Sequence, residues 1–186
     1  MLIALGIIAL IALFAVFTYN RLVTLSQAWK RAFADIDVQL KQRHDLIPNL
    51  VETVKGYASH ESGVFTQVAE ARAGAMRANT VAEKSAAEGV LSSALGNLMA
   101  VAENYPQLKA NQNFMQLQDE LVDIENKIAA ARRFLNNAVA EYNTAIQQFP
   151  AAMFAGALGF QPAAMFELSA AEKTEAMTPP KVSFGA

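Results

Sequence analysis

Cysteine is missing from the chain, so disulfides, thiolate metal sites and cysteine nucleophiles are excluded together. Histidine is nearly as scarce: with two residues, few groups change charge near neutral pH. The two His-based metal patterns of helices fail on spacing. A di-iron bundle needs Glu-x-x-His on two helices, yet the residues three before His44 and His60 are Lys41 and Tyr57. His60-Glu61 lacks the second histidine of a zinc-protease helix, and no glycine-rich phosphate cradle occurs. A site built on His44, Asp45, His60 and Glu61 has to borrow acids from other helices, such as Glu103 or Glu125. Charge is sparse too, at 17% against the ~25% of an ordinary soluble domain, and 15 Lys+Arg nearly balance 17 Asp+Glu. No basic field therefore points to nucleic acid. The expectation is a protein that is not an enzyme, with no catalytic residues, metal, cofactor or nucleic-acid partner.

Apolar surface is what the sequence has in excess, 53% of residues, and the excess is concentrated at the N-terminus. Leu2 to Phe17 carries no polar side chain, and Thr18, Tyr19 and Asn20 precede the first charge at Arg21. As a helix, Met1 to Tyr19 covers ~28 Å, close to the ~30 Å hydrocarbon core, with Tyr19 where aromatic rings favour the headgroup boundary. A cleaved secretory signal requires a basic start, a shorter apolar run and a small-x-small site. No basic residue precedes this run, so residues 1–20 are expected to be an uncleaved transmembrane anchor. Arg21, Lys30 and Arg31 follow it before the first acid at Asp35, which predicts a short external N-terminus and a cytoplasmic body.

Beyond the anchor the periodicity is helical, and no segment sustains the period-two alternation of a half-buried strand. Leu22, Leu25, Trp29, Ala32, Ile36 and Leu40 carry an apolar stripe onward from the span without a breaker, so anchor and first helix read as one rod. The stripe meets Arg43 and His44, then resumes at Ile47, Leu50, Val54 and Tyr57 with Pro48 inside it. Proline has no amide for the His44 carbonyl, which predicts a kink or a restart capped by Asp45. Arg43, Asp45, Asn49 and Glu52 are then expected to satisfy one another and that carbonyl. Arg43, His44, Asp45, Pro48, Asn49 and Glu52 form the candidate cluster, either a polar kink or, if exposed, an interaction surface. Further helices are expected from Glu61 to Arg77 and from Val81 to Asn104, and a turn from Tyr105 to Asn113, with Pro106 as breaker and Asn111 as cap. Phe114, Leu117, Leu121, Ile124, Ile128, Ala131, Leu135, Ala138, Tyr142, Ala145 and Phe149 then define a heptad seam about 50 Å long, stopped by Pro150. The fold expected is all-α: the transmembrane helix continues into an elongated antiparallel four-helix bundle over residues 21–149, with coiled-coil-like packing. Residues 150–168 form a short apolar segment, too broken by proline and glycine for a second span; it either packs on the bundle or lies at the lipid interface, and packing is the expectation because it carries no Lys or Arg to hold an anionic surface. Residues 169–186 read as a flexible tail.

Long motifs carry a resemblance. Ala28-Trp29, Asp35-Ile36-Asp37-Val38-Gln39-Leu40-Lys41, the run from Arg43 to Ala58, and His60-Glu61 form one block. Glu103-Asn104-Tyr105-Pro106, Leu108-Lys109-Ala110-Asn111, Glu125-Asn126-Lys127-Ile128-Ala129, Ala131-Arg132-Arg133-Phe134, Tyr142-Asn143 and Phe149-Pro150 form a second. Together they resemble the bacterial LemA family from the anchor to about Phe166. Leu135-Asn136 stands where relatives often have Tyr-Asn, a change at a seam position that removes a hydroxyl and little packing. The resemblance implies a single-pass protein of the bacterial inner membrane with a long-helix bundle, in a family some of whose members are linked to membrane organelle formation. Two functions follow as expectations. The first is a scaffold that self-assembles as a homo-oligomer on the lipid bilayer and organises it, drawing on Ala131, Ala138 and Ala145 for close helix contact. The alternative is an adaptor for a membrane protease or another membrane-protein partner.

Overall fold

The computed structural model describes residues 1–167. Its regular elements are all helical, with no strand among the described residues: α1 (Leu2–Lys55), α2 (Ser62–Arg77), α3 (Val81–Glu103), α4 (Pro106–Lys109) and α5 (Gln112–Gln147), then a 3-10 turn at Ala151–Met153. The chain is the all-α bundle with a long apolar N-terminal helix that its periodicity predicts.

Helix α1 is unbroken over 54 residues. Residues 1–17 are exposed throughout, and this part is long and apolar enough to cross a membrane. From Leu22 onward the expected stripe turns inward: Leu22, Ala32, Ile36, Leu40, Ile47, Leu50 and Val54 are all buried. The restart at Pro48 does not occur. Asp45 lies inside the helix and is held by Lys41 instead of capping a new segment.

Two compact units can be distinguished. One combines residues 1–39 with 127–165, and the other combines residues 40–126 with Phe166 and Glu167 of the described chain. In the second unit one apolar core draws Ile47, Leu50 and Val54 from α1, Phe65 and Val68 from α2, Leu91, Leu95 and Leu98 from α3, and Phe114 and Leu121 from α5. At about 1.5–3 kcal/mol for each large apolar side chain fully removed from water, these contacts dominate what holds the four helices together. Short α4 occupies the predicted turn, with Pro106 at its first position and Leu108 buried in the same core. Asn111 caps α5 as expected, its Oδ1 accepting from the Phe114 amide at 3.1 Å.

The start of α3 is fixed by a reciprocal cap. Thr80 Oγ1 accepts from the Glu83 amide, and Glu83 Oε2 accepts from the amides of Asn79 and Thr80 at 3.0 and 3.1 Å. Those two amides, with the Thr80 hydroxyl, hold the Glu83 carboxyl below its ordinary value of 4.5. A depressed folded pKa contributes stability that is complete above the unfolded value and disappears as pH falls through the folded one. The protection of the Asn79 and Thr80 amides, judged from the exchange rate relative to the intrinsic rate at each pH, is therefore expected to fall on acidification below pH 4.5, and Glu83→Gln should abolish that loss of protection. Protection that stays constant through the acid range in the native chain would show that the carboxylate is not the cap.

In the first unit Leu22, Tyr142, Ala145, Ile146, Ala151 and Ala155 form the core, and Trp29 lies against Tyr142 with ring centroids 6.2 Å apart. The C-terminal segment packs here, as expected. Tyr142 donates its hydroxyl to the Gln161 carbonyl at 3.0 Å, and burial raises its phenol pKa, keeping the donor proton in place. Asn143 grips the Ala163 backbone on both sides, donating from Nδ2 to the carbonyl at 2.9 Å and accepting from the amide at 2.8 Å. The α5 seam is buried or half-buried from Phe114 to Ala145, including Leu135, which is fully buried. Phe149 departs from it: α5 ends at Gln147, and Phe149, joined to Pro150 by a cis bond, is 82% exposed. The expected tail at 169–186 lies outside the described residues.

Candidate functional site

Following the buried stripe of α1 from Leu40 leads to Arg43 and His44, both buried, and then to Ile47. A guanidinium removed from water must find anionic partners. Arg43 Nη1 donates to Glu88 Oε2 at 2.9 Å, and Nη2 donates to Ser92 Oγ at 2.8 Å. Its Nε lies 2.8 Å from Glu125 Oε1 as an ion pair, without the alignment of a hydrogen bond. Glu88 is itself buried, and its second oxygen lies 2.7 Å from His44 Nε2. An ionised carboxylate only accepts, so Nε2 carries the proton in that contact. Glu88 is thus shared between a guanidinium and an imidazole, while Glu125, with 42% of its side chain exposed, is the wetter partner.

Pro48 adds a second element. Because residue 48 has no amide, the His44 carbonyl lacks its helical donor, and Arg72 of α2 supplies one, Nε donating at 2.7 Å. This external donor explains how α1 continues through the proline. The expected mutual satisfaction of Arg43, Asp45, Asn49 and Glu52 is not what forms. Steps of four and three place Asp45, Asn49 and Glu52 on the exposed face of α1, together with Pro48, whereas Arg43 and His44 turn inward. Asp45 is held by Lys41, whose hydrogen bond and charge lower its pKa, and Glu52 pairs with Lys55 at 3.5 Å.

Of the six residues singled out by sequence, the structure brings Arg43 and His44 into one buried cluster and leaves the other four outside it. Glu125 joins the cluster. Glu103, His60 and Asp45 stay exposed. Glu88, Ser92 and Arg72 were not anticipated. Only Glu88 carries a signal, in α3, where it and Ser85 interrupt a buried stripe of Val81, Leu91, Leu95 and Leu98. Chemically, the arrangement is an ion-pair cluster that ties α1 to α3 and α5, with α2 fastened through the His44 carbonyl. Apart from Arg43 Nε, which has only the charge of Glu125 beside it, the hydrogen-bonding groups of Arg43 and Glu88 are engaged with one another, His44 and Ser92, and the cluster fixes the register of the helices that supply them.

Over residues 32–184 the sequence matches the family model described as the LemA family. It is also similar to the magnetosome protein MamQ of Magnetospirillum gryphiswaldense, 26% identical over 207 residues, which cover 96% of this chain and 76% of that protein. The magnetosome proteins MamQ 1 and MamQ 2 of Paramagnetospirillum magneticum are each 26% identical over 187 residues, covering 87% of this chain and 69% of theirs. The family match takes in every residue of the Arg43–Glu88 cluster and begins after the apolar residues 1–20.

Proposed function

This chain belongs to the LemA family, and from that premise we propose that it is a membrane-anchored structural and interaction protein, not an enzyme. The observation that carries this reading is the exposed apolar helix of residues 1–17, continuous with α1 of the bundle. So long a run of uncovered apolar side chains is unstable in water and matched in length to a bilayer. Among the described residues of the second unit, the buried cluster of Arg43, His44 and Glu88 is engaged in holding helices, which suits a structural part. Positive-inside charge supports an inner-membrane protein with its N-terminus outside and its bulk in the cytoplasm. In this reading copies of the chain assemble and organise the membrane that holds them, in keeping with the magnetosome names of its relatives. Ala131, Ala138 and Ala145 are half-buried or buried within their own chain, so assembly draws on other surfaces. The adaptor alternative is favoured by one observation, the exposed Asp45, Pro48, Asn49 and Glu52 face of α1, which suits a polar partner.

Full-length chain should remain in the membrane pellet after alkaline carbonate extraction, and a variant lacking residues 2–20 should move to the supernatant. Retention of that variant would remove the anchor. Extraction in native lipid followed by mass measurement then separates the two readings. Several copies alone support assembly, a stoichiometric foreign subunit lost on Asp45→Ala supports the adaptor, and a lone single copy overturns both.

A further inference from the structure

The C-terminal segment packs on the first unit through Ala151, Ala155 and the partly buried Phe154 and Phe160, and turns Phe149, Met153 and Leu158 outward. Ala151 and Ala155 are buried, while Phe149 is 82%, Met153 77% and Leu158 50% exposed. Phe149, Met153 and Leu158 thus remain in the open although Phe154 and Phe160 of the same segment find cover, and in water such large apolar groups are the ones ordinarily buried. No charged residue occurs between Phe149 and Phe166 to keep the surface wet.

The place of this surface is fixed by contacts within the same unit. Phe160 meets Tyr19 edge to face, ring centroids 5.8 Å apart, so the segment lies beside the last residues of the apolar run. Phe149, Pro150 and Ala151 line a crevice of about 150 Å³ with Phe14, Phe17 and Arg21 of α1. Here Phe149 stands across the crevice from Phe14 and Phe17 of the exposed apolar run, with Thr18, Arg21 and Gln148 as the polar part of the lining. Arg21, the first charge after the run, stands at the same crevice and supplies the cation that the segment lacks.

We propose that the Phe149–Leu158 segment is a second membrane contact: a lipid-binding foot in which Phe149, Met153 and Leu158 enter the interfacial layer of the bilayer beside the anchor, with the Arg21 guanidinium against lipid phosphate. The occupant is lipid because the patch adjoins a surface that already requires lipid, and because Tyr19 at its edge is of the kind that favours the headgroup boundary. The foot holds the first unit by two points, so rotation about the anchor is restricted. This inference rests on residues 1–17 spanning the bilayer.

The absence of native cysteine makes the test direct. Leu10→Cys, Phe149→Cys and Met153→Cys in the full chain each accept one environment-sensitive fluorophore, and the labelled proteins are reconstituted in phosphatidylcholine–phosphatidylglycerol vesicles. Lipids carrying a quencher near the headgroup or at the chain end then report depth. The label at 10 is expected to respond most to the deep quencher, and labels at 149 and 153 to the shallow one. Arg21→Gln should weaken shallow quenching at 149 in vesicles containing phosphatidylglycerol. Quenching at 10 without quenching at 149 and 153 overturns the foot while leaving the anchor in place. No quenching at 10 overturns the anchor, and the foot with it.

Discussion

Glu88→Ala is expected to destabilise the bundle by about 3–5 kcal/mol, because it leaves the Arg43 guanidinium buried without its principal counter-charge. Arg43 is 3% exposed and its partners are spread over α3 and α5, so moving it into water requires parting those helices. His44 loses its carboxylate in the same step. The measurement is urea unfolding of the full-length chain in detergent micelles, followed by helical circular dichroism. A stability change under ~1 kcal/mol, the range of an exposed pair, would mean the cluster is solvated and the structural role assigned to it is wrong. The double variant Arg43→Met with Glu88→Leu sharpens the point. It removes both charges and fills the space with apolar atoms, so it should lie closer to the native chain than Glu88→Ala does. The interaction is thus expected to be costly to break singly and cheap to replace as a pair, which marks it as a device for helix register more than a source of net stability.

The parts of this cluster visible in the sequence are those that local periodicity can report. Arg43 and His44 occupy positions three and four after Leu40 and before Ile47 and Leu50, so their burial follows from the helical repeat. The same repeat places Asp45, Asn49 and Glu52 on the opposite face, and it argues against their satisfying a carbonyl between them. Glu88 lies 45 residues from Arg43, and Arg72 lies 28 residues from His44. No local pattern specifies which polar interruption in one helix meets which interruption in another. That pairing is set by how the four apolar stripes come together. The long helices, the Asn111 cap and the inward packing of the C-terminal segment were legible because each depends on residues within a few turns or on composition. The outward Phe149 was not, since the heptad count continues through it while the backbone has already left α5 after Gln147.

Arg72→Ala should cost about 1.5–3 kcal/mol, the range for a hydrogen bond from a charged group, because the His44 carbonyl then has neither an amide nor a guanidinium to satisfy it. Its dependence on Pro48 is the stronger test. Pro48→Ala returns an amide to position 48, at the i+4 distance from His44, where a regular helix supplies the donor. In that background the carbonyl has a second source of satisfaction, and Arg72→Ala is expected to cost less. A double-mutant cycle should therefore show a coupling of about 1 kcal/mol or more, well outside the ~0.3–0.5 kcal/mol scatter of independent sites. Arg72 also contributes to the field at Asp45, but that effect is present with either residue at 48 and cancels in the cycle. Additive costs would show that the guanidinium does not substitute for the missing amide, and the continuity of α1 through Pro48 would then need another cause.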